Sequence, residues 1–424
     1  MAKETAINGG LRARRLALAS TISLVCLLPG LVLASEWLSD DTFNQITIDV
    51  QVELDARYAA AQSANELFPG ATFAFGLPDG RVAKFTVGYS DLEKKLPMRS
   101  DSRMPSGSIG KTYVAAVAMS MVEDGLLQLD GRIGTWLGDE PWFARLPNGD
   151  SITLLHLLNH SSGIIDHVFD TDSQFQDYLT QQFDSDNAAG SIDPRELVRF
   201  VLDKEPLFPA GEGFHYTDTG YLLVGIIIEK ATGSGYYEEL TRRLLVPLNL
   251  RQTTPLDHRD IAGIAQGYAP ESQRLFGLPY EVVDEGALVF DPSLEWTGGG
   301  LVTTSEDLVR WAVALFSSKA IARPYVDEML NSIAKPEHYA DEPGRNFGYG
   351  LGINVAHTRL GVAYHHGGFF PGYNSLLAYF PDVDIAVGMQ INTDQSNLEE
   401  HFDALVKVIM GHVSRETSAV DRSH

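Results

Sequence analysis

Ser108 and Lys111 are the two side chains whose types and spacing best suit catalysis, because they lie three residues apart where an apolar segment begins. Residues three apart share one face of a helix, so a helix that opens at Ser108 places the amine beside the hydroxyl. A serine hydroxyl becomes a good nucleophile when a neighbour takes its proton, and an amine can do so if burial lowers its pKa. The unpaired N–H groups of a helix N-terminus also stabilise an oxyanion.

The chain contains a second copy of the Ser-x-x-Lys pattern, at Ser332 and Lys335. That copy is followed by Pro336 and polar residues, so no apolar helix carries it. The apolar run after Lys111 predicts a largely buried helix, which would hold its first turn rigidly. Because the pattern alone is short, an ordinary helix start with small residues is the alternative for the Ser108 copy.

Tyr216-Thr217-Asp218 is the second stretch with chemical potential. It stands between a loop rich in Pro and Gly and an apolar segment that predicts a helix. Asp218 or Thr217 is well placed to cap that helix, and Tyr216 could serve packing alone. These structural alternatives stay open at the level of sequence.

The third stretch is His366-Gly367-Gly368, on a predicted strand near the C-terminus. A metal site at His365 and His366 lacks a third ligand at suitable spacing. No metal and no other cofactor is therefore predicted.

In this order, the stretches around Ser108, Tyr216 and His366 resemble the serine β-lactamase and penicillin-binding superfamily. The resemblance is to its branch of class C β-lactamases, D-Ala-D-Ala carboxypeptidases and related esterases. It covers roughly residues 45 to 412 and does not specify the substrate. Further stretches similar to that branch are residues 157–163, 220–225, 299–304 and 347–352.

The resemblance implies the catalytic roles. Ser108 would be the acylated nucleophile, Lys111 its general base or proton shuttle, and Tyr216 a second proton carrier that serves the leaving group. The backbone N–H groups of Ser108 and Phe369 would form the oxyanion hole.

The resemblance also implies that His366, Gly367, Gly368 and Asp218 bind substrate. The two glycines would let a substrate lie against the strand edge. Asp218 departs from the family pattern, which usually has Asn there. If its carboxylate reaches the site, we expect it to disfavour substrates with a free carboxylate, giving weak β-lactam hydrolysis and better turnover of neutral esters or amides. If Asp218 only caps its helix, it has no effect on specificity.

The elements that must position these residues are predicted from periodicity and turn signals. Strands near both ends, with helices between them, predict an α/β (α+β) fold of the β-lactamase/transpeptidase type, with one antiparallel sheet flanked by helices. The predicted elements are a helix over 41–66, strands over 71–77 and 81–88, sheet-forming sequence over 298–304, a helix over 305–316, strands over 362–368, 373–380 and 385–392, and a helix over 397–413.

A mainly helical subdomain of about residues 106–294 is predicted to be inserted into a sheet subdomain of about 41–105 and 295–415. Together they would form a single catalytic domain over residues 35–424. Residues 166–193 contain seven Asp and no Lys or Arg, and they are predicted to form an exposed loop or an insertion near the rim of a site.

The first 34 residues have a different character from the rest. Arg12, Arg14 and Arg15 precede an uncharged stretch that ends before Ala34. This pattern predicts an export signal cleaved after Ala34, and hence a periplasmic or extracellular protein. An uncleaved N-terminal membrane anchor is the alternative.

Composition limits the possible partners. With 44% hydrophobic and 21% charged residues the chain suits a globular protein, and its net charge of −24 argues against nucleic-acid binding. The single cysteine, Cys26, lies in the predicted leader, which excludes disulfides and cysteine-bound zinc from the mature chain. The expected partner is a small-molecule or peptide substrate, with membrane contact only through an uncleaved N-terminus.

The sequence thus predicts an exported serine hydrolase that acts through an acyl-enzyme on amide or ester bonds. A peptidase like the D-Ala-D-Ala carboxypeptidases comes first, with a carboxylesterase of the same fold as the alternative. A non-catalytic ligand-binding or sensor protein is less consistent with an intact Ser108, Lys111 and Tyr216. An α/β-hydrolase is excluded because no serine stands in Gly-x-Ser-x-Gly.

Overall fold

The computed structural model describes residues 38–171, 174–184, 192–334, 346–358 and 360–421. The predicted leader lies outside these residues, so its export function stays a prediction. Lys335 of the second Ser-x-x-Lys copy also lies outside them.

The strands form one large antiparallel sheet and two small ones. In chain order they are β1 (Gly70–Gly76), β2 (Val82–Asp91), β3 (Leu96–Pro97), β4 (Met104–Pro105), β5 (Thr254–Pro255), β6 (Val283–Asp284), β7 (Ala287–Leu288), β8 (Leu301–Thr303), β9 (Asn346–Tyr349), β10 (Asn354–Thr358), β11 (Gly361–Phe370), β12 (Tyr373–Phe380) and β13 (Ile385–Ile391).

The helices occupy both ends of the chain and most of its middle. They are α1 (Asp40–Ala64), α2 (Gly110–Glu123), α3 (Gly134–Leu137), α4 (Leu154–Leu158), α5 (Gln174–Asp184), α6 (Pro194–Leu197), α7 (Asp218–Thr232), α8 (Tyr236–Leu240), α9 (Pro270–Phe276), α10 (Trp296–Gly299), α11 (Ser305–Phe316), α12 (Arg323–Asn331) and α13 (Leu398–Asp421). Single 3-10 turns lie at Gly107–Ile109, Phe143–Arg145, Val198–Val201 and Pro292–Leu294, and a π turn at Thr241–Leu245.

The large sheet joins the two ends of the chain. Its strand order is β3-β2-β1-β13-β12-β11-β10-β9, and all of its pairs are antiparallel. β1 pairs with the last strand, with Ala71 opposite Ile391 and Gly76 opposite Ala386. The predicted fold class, with a sheet built from both termini and flanked by helices, is confirmed.

Strand β1 is buried along its whole length because helices cover both faces of the sheet. Phe73 and Phe75 pack in the same core as residues of α1 and α13. The alternate residues face α11, where a Cβ at Gly76 would lie 3.2 Å from Val309 Cγ2. This alternation is the period of two that a strand imposes on its side chains.

Strand β11 is only partly covered on the side of β10. Its pairing with β10 runs from Gly361 to His365 and stops there. On its other side the pairing with β12 continues to Phe370. Among the described residues, no strand pairs with the other edge of the segment from His366 onward.

Three local predictions are corrected by the structure. Ser108 does not open the helix itself but lies in the 3-10 turn that leads into α2. Strand β8 belongs to a small sheet with β4 and β5 rather than to the large one. The described parts of residues 166–193 are not a simple exposed loop, because Asp166 and His167 are buried and residues 174–184 form α5.

Candidate active site

The turn that carries Ser108 is held by close backbone contacts with two other segments. A Cβ at Gly368 of β11 would lie 1.9 Å from the Ser106 carbonyl oxygen. A Cβ at Gly299 of α10 would lie 2.2 Å from the Gly107 carbonyl oxygen. Gly107 itself has φ +52, a left-handed conformation that favours glycine. Glycines on three segments thus let β11 and α10 approach the turn that carries Ser108.

Lys111 is fully buried in the first turn of α2 and donates three hydrogen bonds. Its Nζ lies 3.1 Å from Ser108 Oγ, and it also bonds the Asp218 carboxylate and the Gly298 carbonyl oxygen. Burial opposes a charge on this amine, but the Asp218 carboxylate, with smaller effects of Tyr216 and Glu295, raises its pKa above the ordinary value. Burial acts in the expected direction, but the nearby negative charge outweighs it, so Lys111 is an ammonium in the resting protein.

Thr217 and Asp218 have different roles in the structure, although the sequence allowed either of them to cap α7. Thr217 is the N-cap of α7, and its hydroxyl accepts a hydrogen bond from the N–H of Thr219 at 3.1 Å. Asp218 is the first residue of the helix, and its carboxylate forms an ion pair with Lys111. The cap is thus the threonine, and the aspartate reaches the catalytic centre.

Tyr216 places its hydroxyl near the same two groups. Its ring centre lies 5.0 Å from Lys111 Nζ, and both Lys111 and Ser108 act to lower the pKa of the phenol. Burial has the larger effect and raises that pKa to about 12. The hydroxyl is buried and has no partner of good hydrogen-bond geometry among the described residues. At neutral pH it is a protonated phenol with a proton to donate.

His366 is held on β11 as a neutral ring. Its Nδ1 lies 2.6 Å from the Gly367 carbonyl oxygen, which can only accept, so Nδ1 carries the proton. Its Nε2 then accepts from the hydroxyl of Tyr349 at 2.8 Å. Burial lowers the pKa of His366 to about 3, although its bond to Gly367 opposes this. His366 therefore offers neither a positive charge nor a free N–H to a substrate.

Gly367, Gly368 and Phe369 of β11 line the same cavity as Ser108. Gly107 packs against the backbone of Phe369, since a Cβ at Gly107 would lie 2.6 Å from Phe369 N. Gly367 has more room, because its Cβ would meet Leu376 at an ordinary contact distance of 3.5 Å. The role of the Ser108 and Phe369 N–H groups as donors to an oxyanion stays a prediction.

Sequence reasoning missed Glu295 and Tyr349 as members of the site. Burial, repulsion by Asp218 and the opposing attraction of Lys111 together raise the pKa of the Glu295 carboxyl to about 8. Glu295 precedes the Gly-rich stretch at 299–304 but belongs to no spacing pattern, so nothing local marks it. Tyr349 lies inside the family-like stretch 347–352, which was its only signal.

A cavity of about 790 Å³ opens onto Ser108. Tyr216, Asp218, Glu295 and the His366 strand line it. Most of its other lining residues are aromatic or aliphatic. Among the described residues that line it there is no Lys or Arg. The lining comprises Ser108, Val168, Phe169, Phe175, Leu179, Tyr216, Asp218, Phe276, Leu278, Phe290, Leu294, Glu295, residues 366–371, residues 374–376, Ser396, Asn397, Leu398, Glu399 and Glu400.

In the part of the chain that the structure describes, no group of three or more His, Cys, Asp or Glu side chains could hold a metal ion. Within the same residues, no helix has both the length and the apolar character needed to span a bilayer.

The sequence of the chain is similar to those of known proteins. A family model described as Beta-lactamase matches residues 56–409. Penicillin-binding protein 4* of Bacillus subtilis is 25% identical over 309 residues, which cover 70% of this chain and 62% of that protein. A D-aminopeptidase of Cereibacter sphaeroides is 25% identical over 367 residues, which cover 85% and 64%. The chain thus spans less than two thirds of the length of these curated relatives.

A solved structure shares both fold and sequence with the chain. The crystal structure of a D-stereospecific amidohydrolase from Streptomyces sp. superposes with a TM-score of 0.68 and is 26% identical. The match covers 84% of this chain and 97% of that one.

Proposed function

Because the chain belongs to the beta-lactamase family, we propose that it is a serine hydrolase that cleaves amide or ester bonds through an acyl-enzyme at Ser108. The observation that carries this proposal is the 3.1 Å contact between Lys111 Nζ and Ser108 Oγ, since Ser108 lines the cavity. The names of the similar D-aminopeptidase and D-stereospecific amidohydrolase also support hydrolysis of an amide bond.

In the first half of the reaction, Ser108 Oγ bonds to the substrate carbonyl carbon and gives up its proton. Lys111 is already an ammonium, so it can accept that proton only after releasing one of its own. Asp218 is the hydrogen-bonded acceptor for it. The ion pair of Lys111 and Asp218 thereby becomes a neutral pair. The neutral Lys111 then takes the proton of Ser108, whose oxygen acts as an alkoxide.

Acylation of Ser108 is completed when the bond from the carbonyl carbon to the leaving group breaks. The leaving nitrogen or oxygen needs a proton, and the Tyr216 phenol is protonated and near Ser108. Lys111 can then restore the proton of Tyr216. Water releases the acyl group by the same groups in reverse order, which regenerates Ser108.

The charges of the site favour an amidase or esterase over a carboxypeptidase. A carboxypeptidase must bind the free carboxylate of its substrate, as must an enzyme that hydrolyses penicillins. His366 is neutral and fully hydrogen-bonded, and the cavity presents Asp218 and Glu295. Bringing a further carboxylate beside these groups is unfavourable in a partly desolvated cavity. We therefore propose that the protein is an amidase, with an esterase of the same mechanism as the alternative. These charges disfavour the carboxypeptidase that the sequence analysis placed first.

The test is intact-protein mass spectrometry of the full-length protein after exposure to a fluorophosphonate and, separately, to benzylpenicillin. We expect a fluorophosphonate adduct that is absent in Ser108→Ala, and little or no penicillin adduct. Lys111→Ala should slow adduct formation by several orders of magnitude, because base and nucleophile act as a unit. An adduct that persists in Ser108→Ala would overturn the nucleophile, and no adduct with either reagent would favour a non-catalytic binding protein.

A further inference from the structure

Glu295 is a carboxylate in the cavity that the proposed reaction does not use. It follows the 3-10 turn at Pro292–Leu294 and directly precedes α10. A Cβ at Gly298 would lie 3.5 Å from Glu295 Oε1 and 3.7 Å from Asp218 Cγ, so the two carboxylates border the same small space. The Gly298 carbonyl in turn bonds Lys111, which bonds Ser108. Glu295 thus lies within reach of a substrate acylating Ser108.

Near Glu295, one positive charge, that of Lys111, faces the two carboxyl groups of Asp218 and Glu295. Lys111 of α2 is paired with Asp218 of α7 and attracts Glu295 only through space. Tyr237 of α8 also faces Glu295 but carries no charge at neutral pH, since burial raises its pKa well above the ordinary value. None of the described residues hydrogen-bonds the Glu295 carboxylate. A partly buried carboxylate without a partner is costly, so Glu295 holds a proton in the free protein near pH 7, and a cation arriving in the cavity would stabilise its charged form instead.

The rest of the cavity limits what can accompany this cation. Phe169, Phe175, Phe290 and Phe370 line it together with several leucines. Apolar walls of this kind bind an aromatic or branched aliphatic group and exclude a second charge. The occupant that matches both features carries an ammonium group and a large apolar group close to one carbonyl.

We propose that Glu295 binds the free ammonium group of the acyl part of the substrate, with Asp218 reinforcing the negative potential. The preferred substrates are then amides or esters of apolar amino acids with a free amine, and the apolar side chain lies among the phenylalanines. This inference rests on the proposed function, because it concerns the acyl donor of Ser108. The raised pKa of Glu295 adds that the free protein holds a proton there, which an arriving ammonium displaces.

The test compares phenylalanine amide, as both enantiomers, with 3-phenylpropanamide, which lacks only the amine. Wild-type protein should show a kcat/KM about tenfold to a hundredfold higher for the better enantiomer, the range expected for a charged hydrogen bond. Glu295→Gln should remove most of this preference, because it should raise KM far more for the amine substrate than for 3-phenylpropanamide. Glu205→Gln, which neutralises an exposed carboxylate outside the cavity, should change neither rate.

Calorimetry with Ser108→Ala separates binding from turnover. Phenylalanine amide should bind about tenfold or more tightly than 3-phenylpropanamide near pH 7 and should release protons, measured in buffers of different ionisation enthalpy. Both effects should disappear in Ser108→Ala with Glu295→Gln. Equal binding of the two amides, or an ammonium preference that survives Glu295→Gln, would overturn the inference while fluorophosphonate labelling still supports a serine hydrolase. Loss of labelling itself would instead overturn the proposed function.

Discussion

Adjacent residues at the start of α7 perform separate tasks, and only the structure separates them. The Thr217 hydroxyl satisfies a backbone N–H of the helix, which leaves the Asp218 carboxylate free to pair with Lys111. Either side chain could have capped the helix, because both types are favoured there. The family pattern usually has an uncharged Asn at position 218, so the ion pair changes the protonation of Lys111.

The effect of Asp218 on Lys111 can be measured through the pH dependence of catalysis. Burial alone lowers the pKa of Lys111, and the Asp218 carboxylate is the main group that raises it. Asp218→Asn removes that charge, so the pKa of Lys111 must fall. If acylation requires a proton to leave Lys111, the acid limb of kcat/KM against pH should move to lower pH in Asp218→Asn.

The matched control for this experiment is Asp55→Asn, which neutralises an exposed carboxylate on α1 and should leave the profile unchanged. The reaction of a neutral aryl ester is the suitable readout, because its substrate does not titrate. An acid limb that stays in place in Asp218→Asn would show that another group governs acylation.

The members of the site that sequence could identify are those that lie in short patterns. Ser108 and Lys111 share one helical turn, and Tyr216 precedes a recognisable helix start, so the structure brings these three together as expected. Glu295 and Tyr349 reach the site because α10 and β9 pack against distant segments. Their contribution depends on topology, which no local spacing encodes.

At the scale of elements, the nucleophile is positioned by a strand that presses on its turn. The Gly368 position tolerates no side chain, because its Cβ would lie 1.9 Å from the Ser106 carbonyl oxygen. The neighbouring Gly367 would place its Cβ at ordinary contact distance from Leu376. The sequence prediction assigned both glycines to substrate access, but Gly368 is required by packing.

Gly368→Ala and Gly367→Ala therefore form a matched pair with different expected outcomes. Gly368→Ala must shift β11 or the Ser108 turn, and displacements of about 1 Å at a reacting group cost about a hundredfold in rate. We expect a loss of that size in the rate of fluorophosphonate labelling. Gly367→Ala should label at a rate close to that of wild type. Equal labelling rates in the two variants would contradict the role assigned to Gly368.

The helices and strands that were predicted correctly are those with strong local sequence signals. Helix α11 begins and ends where predicted, because Thr304 supplies an N-cap and the apolar spacing is regular. Helix α5 was missed because the density of Asp suggested a loop. Its buried Phe175, Tyr178 and Leu179 nevertheless have helical spacing. The short strands β9 and β10 carry no comparable pattern, and they form because β11 offers them an edge.

At the scale of the whole molecule, the sheet separates the core beneath the site from the core beneath the terminal helices. The first contains α2, α7 and α11, and the second contains α1 and α13. Both cores depend on pairing between β1 and β13, which lie far apart in sequence. Such long-range pairing makes the chain ends structural parts of the fold.

This arrangement predicts that the terminal core determines stability without setting the chemistry. Leu405 of α13 is fully buried in that core, across the sheet from Ser108. Leu405→Ala should lower the free energy of unfolding in urea by about 2–5 kcal/mol, through lost burial and the cavity left behind. Lys407→Ala, on the exposed face of the same helix, should change it by less than about 0.5 kcal/mol.

The decisive comparison is activity per folded molecule, counted by titration of Ser108 with a fluorophosphonate. We expect the kcat/KM of titrated Leu405→Ala to equal that of wild type at temperatures where both are folded. The packed sheet resists small shifts on its far face, since interiors close-packed on both sides do not deform continuously. A reduced kcat/KM per titrated site would mean instead that the position of β11, and with it the Ser108 turn, depends on the packing of α13.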